Sequence, residues 1–248
     1  MPVIDSRLLH DWSLVSAGIM LDERSQATWD SRVATWANVC GTPVFQGFRD
    51  VLLKEARLCP NDVVMDLGCG TGLVSLAAAP RCRRVVGVDI STQMLDWLSA
   101  EAESLHLKNL DLLHADMRCV PLPDQSIDVA VSCYAFHHLS DEGKELAIAD
   151  ARRILRPRGR LVVVDMMFAL SLRSGDRRLI TNKVVSLARK GPGGVVRIAK
   201  NAGRLALGRW EAPAPVGWWV EMLERRGFEA IVGGSLQHEA GYVTARKP

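Results

Sequence analysis

The sequence predicts an α/β fold: a doubly wound, mostly parallel sheet covered by helices. Three observations carry that expectation. Short apolar runs rich in β-branched residues recur at Val63–Leu67, Arg84–Ile90, Leu110–Leu113, Ser126–Cys133 and Leu161–Asp165, as strands buried on both faces require. Stretches with helical character separate them, at Gly72–Ala79, Ser91–Leu105 and Asp141–Leu155, the first stopped by Pro80. The first strand then empties into Asp66-Leu67-Gly68-Cys69-Gly70-Thr71-Gly72, with glycine at alternate positions. Glycine tolerates positive φ and lets a ligand approach bare backbone, so a turn of this kind between strand and helix grips a nucleotide-like cofactor.

The glycine spacing bears on which cofactor. A dinucleotide fingerprint G-x-G-x-x-G starting at Gly68 needs glycine or alanine where Leu73 stands. The pattern D-x-G-x-G-x-G instead resembles the first motif of class I S-adenosyl-L-methionine (SAM) methyltransferases. Asp89 ends the second strand 19 residues after Gly70, where an acid can accept both ribose hydroxyls. The other reading of Asp89 is a helix N-cap, because Ser91, Thr92 and a helical pattern follow. A third acid, Asp116, follows the strand Leu110–Leu113, and Leu155-Arg156-Pro157-Arg158-Gly159-Arg160-Leu161 reads as the L-x-P-x-G-x-L turn into a fifth strand. The resemblance implies that Asp66, Gly68, Cys69, Gly70 and Gly72 form the cofactor turn. It also implies that Ile90 and Met94 lie against the cofactor, that Asp116 takes the adenine amino group with Met117 on the ring, and that Ser132 faces the cofactor. A plain loop carboxylate capping amides is the alternative for Asp116. The implied fold is a Rossmann-like sheet of seven strands whose last, antiparallel strand lies between the fifth and sixth. Within the family, the chain is similar to the small-molecule group that includes ubiquinone/menaquinone-type and natural-product O-methyltransferases. The implied cofactor is SAM, with S-adenosyl-L-homocysteine as product.

Four segments follow along the 248 residues. Residues 1–58 read as an N-terminal helical cap, and 59–165 as the SAM-binding core. Residues 166–215 read as a basic helical insert over the substrate pocket, and 216–248 as a helix (Trp218–Gly227) and two strands (Glu229–Gly233, Gly241–Arg246) completing the sheet. Within the cap, Thr28–Ala37 reads as one helix on which Trp29 and Trp36, seven apart, share a face. That face either packs on the core or forms a lid over the reacting methyl. The insert is charged unevenly: between Ser171 and Trp210 ten basic residues meet one acid, Asp176. Two amphipathic helices fit there, Asp176–Arg189 and Gly194–Leu207, broken by Gly191-Pro192-Gly193. Such a surface is a solvated cover, or it receives an anionic substrate, an acidic carrier protein or a membrane surface. Nucleic acid is not an expected partner, since no appended RNA-binding module is present. A monomer or a homodimer is expected.

Six cysteines include no C-x-x-C pair, so neither a metal site nor a disulfide framework is expected, which suits a cytoplasmic location. Met1–Asp5 has no basic region ahead of an apolar run, and no apolar stretch reaches about 18 residues.

For chemistry, a methyl acceptor must be held in line and, if it is an alcohol or acidic carbon, lose a proton. Histidine is the natural base near neutral pH. His137 and His138 follow the fourth strand and Asp165 ends the fifth. The resemblance matches His138 to a catalytic histidine oriented by Asp165, with His137 as the alternate and either one able to cap the helix at Asp141. Tyr134, Trp29, Trp36 and His238 are candidates for the substrate pocket. The expected activity is methyl transfer to oxygen or an activated carbon of a small organic molecule. The alternatives are C-methylation of a quinone-like lipid, or a SAM-binding protein repurposed for chemistry other than methyl transfer.

Overall fold

A computed structural model describes residues 23–168, 212–237 and 239–248, with positions 185, 189, 191 and 193 between them. The two expected insert helices fall almost wholly outside the described residues, as does His238. The chain opens with α1 (Glu23–Asp30), α2 (Val33–Cys40) and α3 (Pro43–Ala56). The core then alternates β1 (Val63–Leu67), α4 (Ser75–Ala78), β2 (Arg84–Asp89), α5 (Thr92–Ser104), β3 (Leu110–His114), β4 (Ile127–Cys133), α6 (Asp141–Ile154) and β5 (Leu155–Met166). It ends with α7 (Val216–Arg225), β6 (Glu229–Ser235) and β7 (Ala240–Arg246).

The seven strands form one sheet in the order β3-β2-β1-β4-β5-β7-β6. β1 to β5 run parallel, and β7 pairs antiparallel with both β5 and β6. The strands are valine-rich because each face meets its own helical layer. On one side, Ala147, Ile148 and Ile154 of α6 with Trp219, Met222 and Leu223 of α7 close over Met65, Ala130 and Val163. On the other, Phe48, Leu52, Leu53 and Ala56 of α3 cover Val64, Val129, Val131 and Val162. Every residue of β1 is buried. The β1/β4 neighbourhood is the switch point of the sheet, so a crevice opens beyond the carboxyl ends of these strands.

Three local differences from the sequence reading have physical causes. The helix expected over Gly72–Ala79 shrinks to Ser75–Ala78 with a 3₁₀ turn at Ala79–Arg81, because the glycine turn runs on: Gly72 has φ +94° and cannot be helical. The single helix expected over Thr28–Ala37 breaks at Ser31-Arg32, which separates α1 from α2. The L-x-P-x-G-x-L segment belongs to β5 as a bulge, since Leu155 pairs with Ile127 and pairing resumes at Arg160 opposite Val129. Among the described residues, no helix is long and apolar enough to cross a membrane.

Candidate active site

The glycine turn closes on the second strand: the amides of Gly68 and Cys69 both donate to the carbonyl of Val88, at 2.8 and 3.0 Å. Gly68, Gly70 and Gly72 all have positive φ. At Gly70 a side chain is also excluded by a neighbour, since a Cβ there would come within 2.8 Å of Trp36 Nε1. Bare backbone is therefore needed for α2 to lie over the turn.

Asp89 sits where the turn meets α5. Its Oδ2 accepts from the Gly70 amide at 2.8 Å and its Oδ1 from the Ser91 amide at 2.9 Å. Capping of α5 falls to Ser91, whose Oγ accepts from Met94 N at 3.1 Å. The N-cap reading of Asp89 is thereby answered, and the carboxylate is left lining the crevice. Enclosure raises its pKa, while its hydrogen bonds to the Ser91 and Gly70 amides act in the opposite direction. Two of its roughly four acceptor sites are engaged, leaving two for a diol. Ile90, Met94 and Met117 supply apolar walls, and Asp116 lines the same crevice.

Four of the expected cofactor residues lie behind this surface instead of lining it. Asp66 is buried and accepts from Ser75 Oγ at 2.6 Å; desolvation pushes its pKa up to about 7. Ser132 is buried and its hydroxyl donates to the Leu67 carbonyl at 2.7 Å. Cys69 turns its sulfur toward Gly87, and Gly72 is packed under Leu98 and Leu76. These residues shape the turn from beneath. The sequence pattern names a motif without saying which of its side chains face outward.

The histidine pair departs from the expected geometry. Asp165 is paired with His137: its Oδ1 meets His137 Nδ1 and its Oδ2 accepts the His137 amide at 3.2 Å. Both side chains are buried. His138, expected to hold Asp165, lines the crevice. Its ring lies 3.9 Å from that of His137 and 4.5 Å from that of Trp29, centroid to centroid. The walls around His138 strip water from it, and its electrostatic interactions with His137 and Arg32 act in the same direction, so its pKa is held below the usual histidine value. Neither histidine caps α6, because Ser140 Oγ accepts from Gly143 N at 3.1 Å. The reversal comes from a 3₁₀ turn, Phe136–His138, which sends adjacent residues in different directions.

The aromatic candidates do converge. Trp29 and Trp36 line the crevice, with rings 6.3 Å apart edge-to-face, although they stand on separate helices. Tyr134 also lines it, at φ +58°, a strained value for a side-chain-bearing residue. Its amide donates to the Val164 carbonyl at 2.8 Å, and its ring stacks on Phe48 and meets that of His137 edge-on. Three residues with no assigned role in the sequence reading also belong to the neighbourhood. Arg118 lines the crevice beside Asp116, Arg32 lies over the Trp29 ring at 5.3 Å, and Asp30 accepts from Ser91 Oγ at 2.6 Å. The sequence marks Asp30 only as an acid directly after Trp29.

This crevice fits a nucleoside and does not fit a pyrophosphate. A phosphate at the glycine turn needs free amides, yet the Gly70 amide is engaged by the Asp89 carboxylate, whose charge would repel the anion. A sugar diol, a flat base between Ile90 and Met117, and an amine toward Asp116 match what the walls present. SAM has those parts.

Comparison with known proteins agrees. Residues 64–159 match the family model described as a methyltransferase domain. The chain is 31% identical over 115 residues to the uncharacterized methyltransferase YcgJ of Bacillus subtilis, covering 46% of this chain and 45% of that one. The chain spans about half the length of the curated relatives it matches. Among solved structures, a SAM-dependent methyltransferase of Aquifex aeolicus superposes with a TM-score of 0.60 at 18% identity, covering 88% of this chain and 98% of that one. The cyclase SpnF superposes with a TM-score of 0.67 at 17% identity, covering 91% and 96%. At such identities the superpositions speak for the fold alone. The family match over residues 64–159, the glycine turn and the nucleoside-shaped crevice point the same way: the core of this chain is similar to methyltransferase domains, and its fold to that of SAM-dependent methyltransferases.

Proposed function

We propose that this protein transfers a methyl group from SAM to an oxygen, or an activated carbon, of a small organic acceptor by direct displacement. The observation that carries the reading is the buried Asp165–His137 pair beside a crevice already furnished for the cofactor. When bound, the cofactor supplies a methyl group activated by its positive sulfur. What remains for the chain is positioning and proton removal. His137 turns Nδ1 to Asp165, so the proton belongs on that nitrogen and Nε2 carries the lone pair. Asp165 also takes the Met166 amide at 2.6 Å and the His137 amide, which fixes its orientation. This is the base-and-orienter arrangement of nucleophile-activating sites. His138, kept neutral, shapes the acceptor side together with Trp29, Trp36 and Tyr134, whose flat walls suit an unsaturated acceptor.

The test is transfer of labelled methyl from SAM to a panel of phenols, quinols and β-dicarbonyl compounds. His137→Gln and Asp165→Asn are expected to lower kcat about 100-fold or more while S-adenosylhomocysteine still binds. His138→Ala is expected to act mainly on the acceptor KM. Loss of turnover in His138→Ala alone would return the proton to His138. Product analysis separates O- from C-methylation, including that of quinone-like acceptors.

A second reading is favoured by one comparison: the likeness to a cyclase extends over 91% of this chain. Under it, SAM would stay intact beside a substrate that rearranges. An acceptor consumed without formation of S-adenosylhomocysteine would establish that reading and overturn the first.

A further inference from the structure

The crevice carries its charges unevenly. Among the described residues two carboxylates line it, Asp89 and Asp116, both in the part furnished for the cofactor. Asp89 is engaged by the Gly70 and Ser91 amides, and Asp116 by Arg118. None of the described residues on the side formed by Trp29, Trp36, Tyr134 and His138 is an acid. Buried Asp165 is already matched by His137.

Arg32 has no such match. It stands half-buried at the N-cap position of α2, with its guanidinium 5.3 Å over the Trp29 ring. That ring is 4.5 Å from His138, which also feels the Arg32 charge. Among the described residues no carboxylate pairs with Arg32, and the neighbouring acid, Asp30, turns its Oδ1 to Ser91 and Gln93. An aromatic face steadies a guanidinium but leaves its N–H donors without an oxygen acceptor. A planar fork of donors, partly stripped of water, suits a carboxylate, which it can hold by two parallel bonds.

We propose that Arg32, poised over Trp29 at the acceptor side of the crevice, recognises a carboxylate, so that the acceptor is an aromatic or conjugated carboxylic acid methylated at a hydroxyl or carbon away from that group. This rests on the methyl-transfer reading above. The rings of Trp29, Trp36 and Tyr134 receive the unsaturated frame. Arg32 holds the carboxylate, and the nucleophilic atom is left to the His137–Asp165 pair. A carboxamide has the same outline but lacks the charge and the second acceptor oxygen, so the fork discriminates against it.

Calorimetric titration of the full chain, saturated with S-adenosylhomocysteine near neutral pH, tests this with matched probes: hydroxybenzoate against hydroxybenzamide, and hydroxycinnamate against its amide. The unaltered protein is expected to bind each acid at least about 10-fold more tightly than its amide, the scale of one charge-assisted hydrogen bond. Arg32→Gln is expected to weaken the acids about 10-fold and leave the amides and S-adenosylhomocysteine unchanged. Arg32→Lys, which keeps the charge without the fork, is expected to retain part of the preference, and it decides if Arg32→Gln fails to fold. Equal affinity for acid and amide in the unaltered protein would overturn the proposal. So would binding of neither, an equal loss of both in Arg32→Gln (the mark of an arginine that merely packs on Trp29), or a methyl ester as product. Failure of the methyl-transfer reading looks different: the acids bind in an Arg32-dependent way, yet labelled methyl never reaches them from SAM.

Discussion

His138 shows how a residue can be open to a ligand and still be poorly hydrated. It faces the crevice, yet the rings of His137 and Trp29 crowd it and Arg32 adds positive charge. Each favours the neutral imidazole, so the folded-state pKa falls below the ordinary value of about 6.5. As pH drops below about 6.5, the unfolded chain takes up a proton that the native site refuses. His138 therefore contributes stability at neutral pH that is lost on acidification. By NMR, its ring resonances are expected to stay unshifted from pH 8 down to about pH 6, where an exposed histidine is already titrating. A midpoint at or above 6.5 would show that the site tolerates the charge and would return His138 to contention as the base. The sequence displayed two adjacent histidines and an acid 27 residues beyond the second. It could not say which histidine the acid holds, because a single 3₁₀ turn decides that and its direction is set by tertiary packing.

At the scale of elements, α1 is the least conventional part of the fold. None of its residues is buried, so apart from the Trp29 ring little apolar packing holds it. Its last residue, Asp30, accepts from Ser91 Oγ at 2.6 Å and from Gln93 N at 3.3 Å, at the amino end of α5 where the helix dipole favours a carboxylate. Ser91 in turn donates its amide to Asp89. The helix that carries Trp29 over the crevice is thus latched to the loop that carries the expected ribose acceptor. Replacing Asp30 with alanine removes a charge-assisted bond of roughly 1.5–3 kcal/mol. Amide exchange in α1 is expected to speed about 10-fold or more, with β1 and β4 unaffected. Unchanged exchange in α1 would mean that the Trp29 contacts alone hold the helix. The strands and α5 to α7 were legible to within a few residues because burial writes period and composition into them. The break at Ser31-Arg32 was not, since neither proline nor glycine marks it. It lets Asp30 reach α5 while Trp29 reaches His138, and both demands come from distant parts of the chain.

Across the whole molecule, sheet order and glycine turn jointly determine what can bind. The order β3-β2-β1-β4-β5 places the crevice beyond β1 and β4, as in dinucleotide-binding sheets. Topology alone therefore leaves NADH and SAM as rivals. The turn separates them. Leu73 occupies the place of the third glycine and packs into the core beneath the turn, and Asp89 already holds the Gly70 amide that a pyrophosphate would need. A ligand that binds only the native state stabilises it by RT ln(1 + [L]/Kd), about 2.7 kcal/mol at a hundredfold excess over Kd. For a chain of this length each kcal/mol raises Tm by about 2–4 °C. S-adenosylhomocysteine at that excess is therefore expected to raise the melting temperature by roughly 5–10 °C, and NADH at equal concentration to leave it where it was. A shift with NADH would mean that the Gly70 amide can be released from Asp89 at a cost the pyrophosphate repays, and would overturn the assignment of the crevice to a nucleoside without phosphates. In Asp89→Ala the same experiment carries an internal control. The S-adenosylhomocysteine shift is expected to shrink because the diol acceptor is gone, whereas a site that merely lacked charge repulsion would now begin to respond to NADH.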